Sequence, residues 1–556
     1  MDARKIFFIA LAAFTLCSCT LKEDLTSYTH RNAYFRNATE IKTGLNSCYS
    51  LIRTIHNTAY WQMTECATDL LYLNVSNQYD AVCNISPSRP GCAVTVWWRG
   101  YQGISRANAM IVRIDKALAK GGITKEEHAS LMAEAVILRS FFCYILTSTF
   151  GDVPFYTEEV TEKNRQKIAS LPRMSADDTR DFCIDELMHW LLPADKGGLG
   201  ALPLRRTFDA GTDYRAGAAL GLMLAGKLSL WNKRWEDAIT CFSELENIYG
   251  DLSQYPLTDI PFSRKYTPES IWEIPSTYEP YGLQMVLGVA AWSTPSRSSN
   301  DVDIVDGEEN LTETISDIYN GIAIPELGKE AHVYSAARPT AYYYQNLLPY
   351  SSDDLRSGEY SNGAESPRGS SGNLAWRWSG YSADDAERDP ANRTVRWFAR
   401  PGGKGSGEPW IGNKFWCFGM KNTSDFNNPK VFRYAGALLG LSEAWLMAGD
   451  EAKALEYLNM TRRRAGLRGI TRAEVGGERE LLLEEIRCEC ARELLGEYTR
   501  KFDLVRWGIW YERTTAYTAS SNSLLQNIHP YHRYWPIPAD QVAYSGGALD
   551  NKEYGE

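Results

Sequence analysis

Apolar residues recur at intervals of three and four positions through most of the chain, which is the period of one face of an α-helix. The segment GLNSCYSLIRTI places Leu45, Tyr49 and Ile52 at this spacing, and YQGISRANAMIVRIDKAL repeats it. A third segment, SLMAEAVILRSFFCYILTSTFG, stops at Gly151, shortly before Pro154. Glycine accepts a positive φ and proline cannot continue a helix, so we expect this helix to end there.

Two later segments align with each other without a gap. KLSLWNKRWEDAIT (Lys227–Thr240) and EAWLMAGDEAKALE (Glu443–Glu456) each predict a helix, a polar turn and a second helix. A small residue, Ala238 or Ala454, stands where the two helices cross. This pattern is typical of tetratricopeptide hairpins, which cannot bury their apolar faces alone and must stack. Because the two copies are degenerate and far apart, we do not expect a regular solenoid.

The pattern changes between about residues 278 and 429. Stretches such as WSTPSRSSNDVD and ARPGGKGSGEPWIGNKFWCFG have no sustained period and are rich in Gly, Ser, Pro and aromatic residues. They predict loops or short irregular elements. We therefore divide the mature chain into a mainly helical scaffold, residues 19–277 and 430–556, and a loop-rich part, residues 278–429. Loops on a rigid scaffold are where binding residues are most often found.

The first 18 residues have a pattern of their own. Two basic residues precede the apolar run Ile6–Phe14, which is far shorter than the roughly 20 residues that span a bilayer. The run predicts a signal peptide, and it ends in LCSC, which resembles the lipobox of bacterial lipoproteins. That resemblance implies that residues 1–18 are removed and that Cys19 carries a lipid anchor. An ordinary secretory signal that is cut nearby is the alternative.

Composition narrows the range of partners. The chain has 17 Trp and 32 Tyr, a surplus of aromatic residues that favours surfaces stacking on ring-shaped ligands. A net charge of −10 argues against a nucleic-acid partner, which would need a concentrated basic face. The 7 His are scattered and predict no metal-binding cluster. Among the 12 Cys, Cys83 and Cys92 flank a loop that contains proline, and their spacing is compatible with a disulfide bond between them.

Four segments of the chain share features with one known family; they are Ala133–Glu159, Lys430–Leu467, Arg487–Gly508 and Tyr534–Tyr554. Together they resemble the SusD/RagB family of outer-membrane nutrient-binding lipoproteins. They span nearly the whole mature chain, in the order expected for the family. The third, RCECARELLGEYTRKFDLVRWG, is similar to the family's R-E-L-x-x-E-G-x-R-x-x-D-L-x-R-W block, but it has Tyr498 where the family usually has Gly.

The resemblance implies an all-α fold, in which tetratricopeptide-like hairpins pack against a loop-rich, irregular half that holds the ligand. It implies a lipid-anchored protein of the outer membrane that faces the cell exterior, binds glycans and sits over a SusC-like TonB-dependent transporter. It also implies binding without catalysis and without a cofactor. A protein of the same fold that captures peptides or glycopeptides is the first alternative. A lipid-anchored glycoside hydrolase is the second.

A glycoside hydrolase would need two carboxylates that face each other across a cleft. Glu493 and Glu497 lie four residues apart, but arginines are interleaved with them, including Arg492, Arg500 and Arg506. Arginines hold neighbouring carboxylates ionised, whereas a general acid needs a raised pKa. We therefore predict that these residues form ion pairs within and between helices.

A sugar offers one face of C–H groups and a rim of hydroxyl groups, so its site combines aromatic rings with amides and charged groups. The stretch DLLYLNVSNQYDAVCN has this character, and so do the tryptophans of the loop-rich part. The predicted ligand-binding residues are Tyr72, Asn77, Tyr79, Trp292, Arg297, Trp376, Trp378, Tyr381 and Trp410. The alternative for any one of these rings is a plug over a small core.

Two further stretches of the sequence are not assigned to the ligand-binding site. Trp97 and Trp98 precede a predicted helix and are expected to pack inside. NDVDIVDGEE carries Asp301, Asp303 and Asp306, whose oxygens suit calcium, but their spacing misses that of an EF-hand. The prediction is therefore no metal, with a structural calcium ion as the alternative.

Overall fold

The computed structural model describes residues 34–73, 85–208, 214–260, 264–276, 288–293, 336–348, 353–356, 425–518 and 528–555, with residues 262 and 412–415 between them. It also describes the backbone of short strands between residues 302 and 399. The predictions for Cys19, Asn77, Tyr79, Arg297, Trp378, Tyr381 and Trp410 lie outside the described residues.

The N-terminal part of the scaffold is a layer of α-helices. They are α1 (Ala38–Ile55), α2 (Thr58–Glu65), α3 (Ala93–Ala119), α4 (Lys125–Phe150), α5 (Arg165–Ala169) and α6 (Ala176–Leu191). The predicted apolar face of α1 is buried, with Leu45 and Ile52 both at 0% exposure. Helices α3 and α4 pack closely because Gly103 has no Cβ, which would come 2.3 Å from the ring of Phe142.

Helix α4 is the centre of this layer. Thr124 and Glu127 form a capping box at its start, and Gly151, at a φ of 71°, ends it as the sequence predicts. The helix is long and apolar enough to cross a membrane by length and composition, but 89% of its apolar window is buried inside the fold. Its burial is that of a core helix.

The predicted hairpins are both present. The helices that follow α6 in the described chain are α7 (Ala218–Trp231), α8 (Trp235–Tyr249), α9 (Val289–Ser293), α10 (Tyr434–Ala448) and α11 (Glu451–Arg464). Helices α7 and α8 form the first hairpin, α10 and α11 form the second, and Ala238 and Ala454 are both at 0% exposure. The structure also packs α8 directly on α10, so the two hairpins stack although they are distant in sequence.

Phe242 of α8 joins the two hairpins. A Cβ at Gly226 of α7 would come 2.3 Å from its ring, and a Cβ at Gly440 of α10 would come 2.6 Å from it. The phenyl ring is at 0% exposure. It fills the space that the two glycines leave, which is why both hairpins can approach it.

The C-terminal helices close the scaffold. They are α12 (Arg479–Glu493), α13 (Arg500–Arg506), α14 (Trp510–Thr518) and α15 (Ala539–Tyr544). Tyr498, between α12 and α13, has a φ of 62°, in the left-handed region that favours glycine. Its ring is 4% exposed and stacks on Tyr60 with the centroids 5.9 Å apart. The ring contacts of Tyr498 offset the free-energy cost of this backbone conformation, which a glycine would adopt without strain.

A network of buried ion pairs connects α12 to the centre of the fold. Arg433 donates to Glu269 at 2.8 Å, to Glu493 at 3.0 Å and to Glu497 at 2.8 Å. Burial by itself raises the pKa of Glu493, but the charges of Arg464 and Arg433 outweigh it and the pKa lies below its usual value. The predicted ion pairs are confirmed, and both carboxylates of the candidate catalytic pair are engaged with arginine.

Short strands accompany the helices. They are β1 (Leu71–Leu73), β2 (Ser270–Glu273), β3 (Val302–Val305), β4 (Leu311–Thr314), β5 (Ala337–Pro339), β6 (Gly358–Ser361), β7 (Asn373–Trp376), β8 (Thr394–Ala399) and β9 (Lys430–Arg433). Strands β1 and β5 pair, β2 and β9 pair, and five strands form an antiparallel sheet in the order β4-β3-β8-β7-β6. The sequence predicted loops or short irregular elements there. The sheet is a correction, because its pairings, such as Asp303 with Arg396, join segments that are distant in sequence.

Candidate functional site

Strands β1 and β5 pair with each other, and α9 lies against β5. The register places Tyr72 opposite Arg338, and the backbone N–H of Ala336 donates to the carbonyl of Trp292 at 3.0 Å. We call these three elements the strand corner. It brings together Tyr72 and Trp292, two of the predicted ligand-binding residues, from distant parts of the chain.

Asp69 anchors the strand corner to the scaffold. Its carboxylate, at 0% exposure, accepts hydrogen bonds from Arg500 at 2.8 and 2.6 Å. Its backbone carbonyl accepts one from the Thr340 hydroxyl at 2.6 Å, just after β5. A second bond joins the Thr340 N–H to Leu70 at 2.8 Å. Both strands of the corner are therefore tied to α13 through one buried residue.

Helix α9 is held by two side chains from elsewhere in the fold. Asp425 accepts a hydrogen bond from the N–H of Ala290 at 3.0 Å, and Thr58 accepts one from Gly288 at 2.5 Å. Burial raises the pKa of Asp425 to about 7, although hydrogen bonds from Ala290 and Asn427 oppose the rise. These contacts hold Trp292 in place, half-buried against the core.

Several stretches outside the described residues adjoin the strand corner in sequence. They are residues 74–84 after β1, residues 277–287 and 294–301 on either side of α9, and residues 315–335 before Ala336. Asn77 and Tyr79 belong to the first, and Arg297 belongs to the third. Three of the predicted ligand-binding residues thus lie in stretches of the chain that are directly connected to the strand corner.

The described residues from the predicted set differ in exposure. Tyr72 is 3% exposed, so its ring packs inside and has no open face for a sugar. Burial in the strand pair removes it from the set, and this prediction is corrected. Trp292 is half-buried and retains an accessible part. Trp376 lies in β7, where its backbone pairs with Gly358.

Four further residues lie beside the corner and were not predicted as site residues from the sequence. Arg338 is half-buried opposite Tyr72, and burial lowers the pKa of its guanidinium. Tyr342 and Tyr517 stack with centroids 3.9 Å apart, both half-buried. The Arg513 guanidinium donates to the Tyr342 hydroxyl at 2.9 Å. No local pattern marks this group, because its members meet only when α14 packs beside the segment that follows β5.

Family models match both ends of the scaffold. A model described as the SusD family matches residues 412–554, and one described as starch-binding, associating with the outer membrane, matches residues 23–195. The chain belongs to the SusD/RagB family. This SusD-family chain is similar to the SusD-like protein P25 of Formosa agariphila, with 22% identity over 581 residues, 99% of this chain and 98% of the relative.

Solved structures share the SusD-family fold. Surface glycan-binding protein A from Bacteroides fluxus has a TM-score of 0.62 and 18% identity, covering 91% of this chain and 96% of that one. Surface glycan-binding protein A from Bacteroides thetaiotaomicron, in complex with laminarihexaose, has a TM-score of 0.61 and 17% identity, covering 92% and 98%. The predicted all-α fold, with its tetratricopeptide-like hairpins, is confirmed.

Two structural predictions for this SusD-family chain have different outcomes. Trp97 is 4% exposed, as expected, but Trp98 is 44% exposed, so the prediction is wrong for Trp98. Both lie within α3 rather than before it, and neighbouring helical positions point about 100° apart, so only one can face the core. Cys92 is a free thiol, while Cys83 lies outside the described residues.

Within the described part of the chain, no group of three or more His, Cys, Asp or Glu side chains is placed to hold a metal ion. Of the three aspartates considered for calcium, Asp303 lies in β3, while Asp301 and Asp306 are outside the described residues.

Proposed function

We propose that this SusD-family chain is a cell-surface, glycan-binding lipoprotein that delivers oligosaccharides to a SusC-like TonB-dependent transporter in the outer membrane. The strand corner is the observation that carries the proposal. It places α9, which carries Trp292, against β5, which carries Arg338, and buried polar contacts anchor both elements. A half-buried indole and a half-buried guanidinium on adjoining elements offer a stacking face and hydrogen-bond donors, which are the two kinds of contact that a sugar ring requires.

The likeness to surface glycan-binding proteins supports this proposal at the level of the fold and the ligand class. One of those proteins carries a bound oligosaccharide, laminarihexaose. We expect modest affinity at each contact, since a sugar exchanges good hydrogen bonds with water for similar ones with protein. Delivery to a transporter and the outward-facing lipid anchor follow from the family resemblance and are parts of the same proposal.

Catalysis is not part of the proposal. Glu493 and Glu497 are fully buried, and both accept hydrogen bonds from Arg433. Burial raises the pKa of Glu497, but the charges of Arg433 and Lys414 more than offset it, so the group is held as a carboxylate. Neither side chain can donate a proton to a glycosidic oxygen from that environment.

Replacing Trp292 with alanine is expected to weaken glycan binding at least about tenfold, which corresponds to about 1.4 kcal/mol. The indole provides the stacking area of the corner, while the backbone bonds that hold α9 do not depend on it. The parent chain is first titrated with a panel of plant and host oligosaccharides by isothermal titration calorimetry. The affinity of the variant is then measured for each glycan that binds.

Trp445→Ala is the matched control, because Trp445 is also half-buried but lies in α10 of the second hairpin. It should bind glycan as the parent chain does. If the parent chain binds no glycan but does bind peptides or glycopeptides, the alternative cargo replaces the proposal.

Replacing Cys19 with alanine is expected to move the protein from the membrane fraction to the soluble fraction. The sulfur of Cys19 is the predicted attachment point, and several acyl chains bury enough methylene groups for stable anchoring. Cell fractionation and mass spectrometry of the mature N-terminus measure the result. Cys17→Ala is the matched control, since Cys17 precedes the predicted cleavage point and should leave the lipid on Cys19. Continued membrane attachment of the Cys19 variant would contradict the anchor.

A further inference from the structure

Three aromatic rings form a cluster on the scaffold surface apart from the strand corner. Tyr214 and Tyr266 have ring centroids 4.8 Å apart, inclined by 48°. Phe208 lies beside both, with its centroid 6.2 Å from Tyr214 and 5.7 Å from Tyr266. Phe208 is buried, whereas Tyr214 is 40% exposed and Tyr266 is half-buried. The cluster thus has a buried base and an accessible upper face.

The backbone of Tyr266 is in an unusual conformation. Its φ is 57°, in the left-handed region, where a bulky side chain is a genuine outlier. Such conformations cost free energy and persist only when the surroundings impose them. A glycine at this position would adopt the same turn without strain, so the tyrosine ring is retained at a cost.

A buried ion pair imposes this conformation. Glu273 accepts hydrogen bonds from the N–H groups of Tyr266 at 2.7 Å and of Thr267 at 3.3 Å. Lys430 pairs with Glu273 at 3.1 Å and donates to the carbonyl of Arg264 at 2.7 Å. Both charged side chains are at 0% exposure. The scaffold therefore fixes the turn on both sides of Tyr266 and aims its ring at Tyr214.

An amide group lies beside Tyr266, and a lysine precedes it in the chain. Burial raises the pKa of the Tyr266 hydroxyl, and a hydrogen bond from Asn428 opposes that rise. The Lys265 ammonium donates to Ser276 at 2.9 Å and lies 5.0 Å from the ring centre of Phe426. Two phenol rings with their own hydroxyl groups and a neighbouring amide match the C–H face and hydroxyl rim of a sugar.

The size of the cluster also favours a small ligand over a protein partner. A stable protein interface buries about 800 Å² on each side, drawn from roughly 20–30 residues. Two accessible tyrosines provide much less area than that. Lys265, next to Tyr266 in the chain, lies over the ring of Phe426, and Phe426 follows Asp425, which holds α9.

We propose that Tyr214 and Tyr266 form a second carbohydrate-binding surface, on which a pyranose ring of the captured glycan stacks. This inference rests on the proposed function and adds a second contact point to it. A glycan held at both places gains from the effective concentration that the first contact provides. Tyr214 and Tyr266 should therefore matter most for long glycans.

Native affinity electrophoresis of the full chain in detergent tests this surface. The gels contain laminarin, starch, xylan, arabinogalactan or mucin glycan, and retardation measures binding. Tyr214→Ala and Tyr266→Gly should each weaken retardation by the retained polysaccharide about three- to tenfold. Tyr214→Phe keeps the ring and should behave as the parent chain. Because glycine accepts the left-handed φ, Tyr266→Gly removes the ring without loss of thermal stability.

Tyr544→Ala is the matched control, because Tyr544 is 74% exposed but lies in α15. If Tyr214→Ala and Tyr266→Gly are retarded like the Tyr544 variant while Trp292→Ala is not, the second surface is overturned and the proposed function stands. If no polysaccharide retards the parent chain, the proposed function is overturned, and the second surface with it.

Discussion

Replacing Arg433 with methionine is expected to lower the free energy of unfolding by about 5 kcal/mol, or to prevent folding altogether. The Arg433 guanidinium is fully buried and donates to Glu269, Glu493 and Glu497. Methionine replaces the aliphatic part of the side chain but carries no charge, so three buried carboxylates would lose a partner at once. Removing one partner of a buried pair already costs about 3–5 kcal/mol, because the remaining charge is left without compensation. Urea denaturation followed by circular dichroism measures the change.

An exposed ion pair provides the control for this prediction. Arg468 pairs with Glu474 at 2.5 Å, but the two side chains are 75% and 36% exposed. Arg468→Met should therefore change stability by less than about 1 kcal/mol. Equal effects of the two substitutions would show that the buried network is not what stabilises the region around α12.

Truncating Phe242 to alanine is expected to destabilise the protein by about 3–5 kcal/mol. The ring is fully buried between Gly226 and Gly440, in the space where the two hairpins meet. Its removal leaves a cavity that helices on both sides line, and the backbones cannot close it without moving both hairpins. Leu481→Ala, at a position that is 47% exposed, should change stability by less than about 0.5 kcal/mol.

A double-mutant cycle tests the packing itself. Gly226→Ala alone places a methyl group 2.3 Å from the Phe242 ring and should cost about 1–3 kcal/mol. Combined with Phe242→Leu, the same substitution should cost less, since the shorter side chain leaves room for the methyl group. Strictly additive effects would contradict the contact between the two positions. Thermal and urea denaturation give the coupling free energy.

Local patterns were sufficient for the helical scaffold. The period of apolar residues predicted α1, α3 and α4, and Gly151 marked the end of α4 because a glycine relieves strain at a positive φ. Ala238 and Ala454 marked the helix crossings, since only a small residue permits that approach. These features depend on residues within a few turns of each other, so the sequence displays them directly.

The candidate site depends on contacts that no local pattern reports. The pairing of Tyr72 with Arg338 joins strands that are distant in sequence, and it buries the tyrosine that had been expected to face the ligand. The left-handed turn at Tyr266 arises from the buried pair of Glu273 and Lys430, which also come from different strands. Whether an aromatic ring can stack on a ligand or is buried in the core depends on which segments pack over it.

By itself, the amino-acid sequence determined the helical hairpins, the arginine-paired carboxylates and the family, because each of these rests on residue types at short, regular spacings. The signal segment stays a prediction. Only the tertiary structure decided that the two hairpins pack directly on each other, that β1, β5 and α9 form a corner, and that Tyr214 meets Tyr266. The physical reason is that burial and pairing are properties of segments brought together from across the chain. The free energy of these long-range contacts is gained only when the whole scaffold folds.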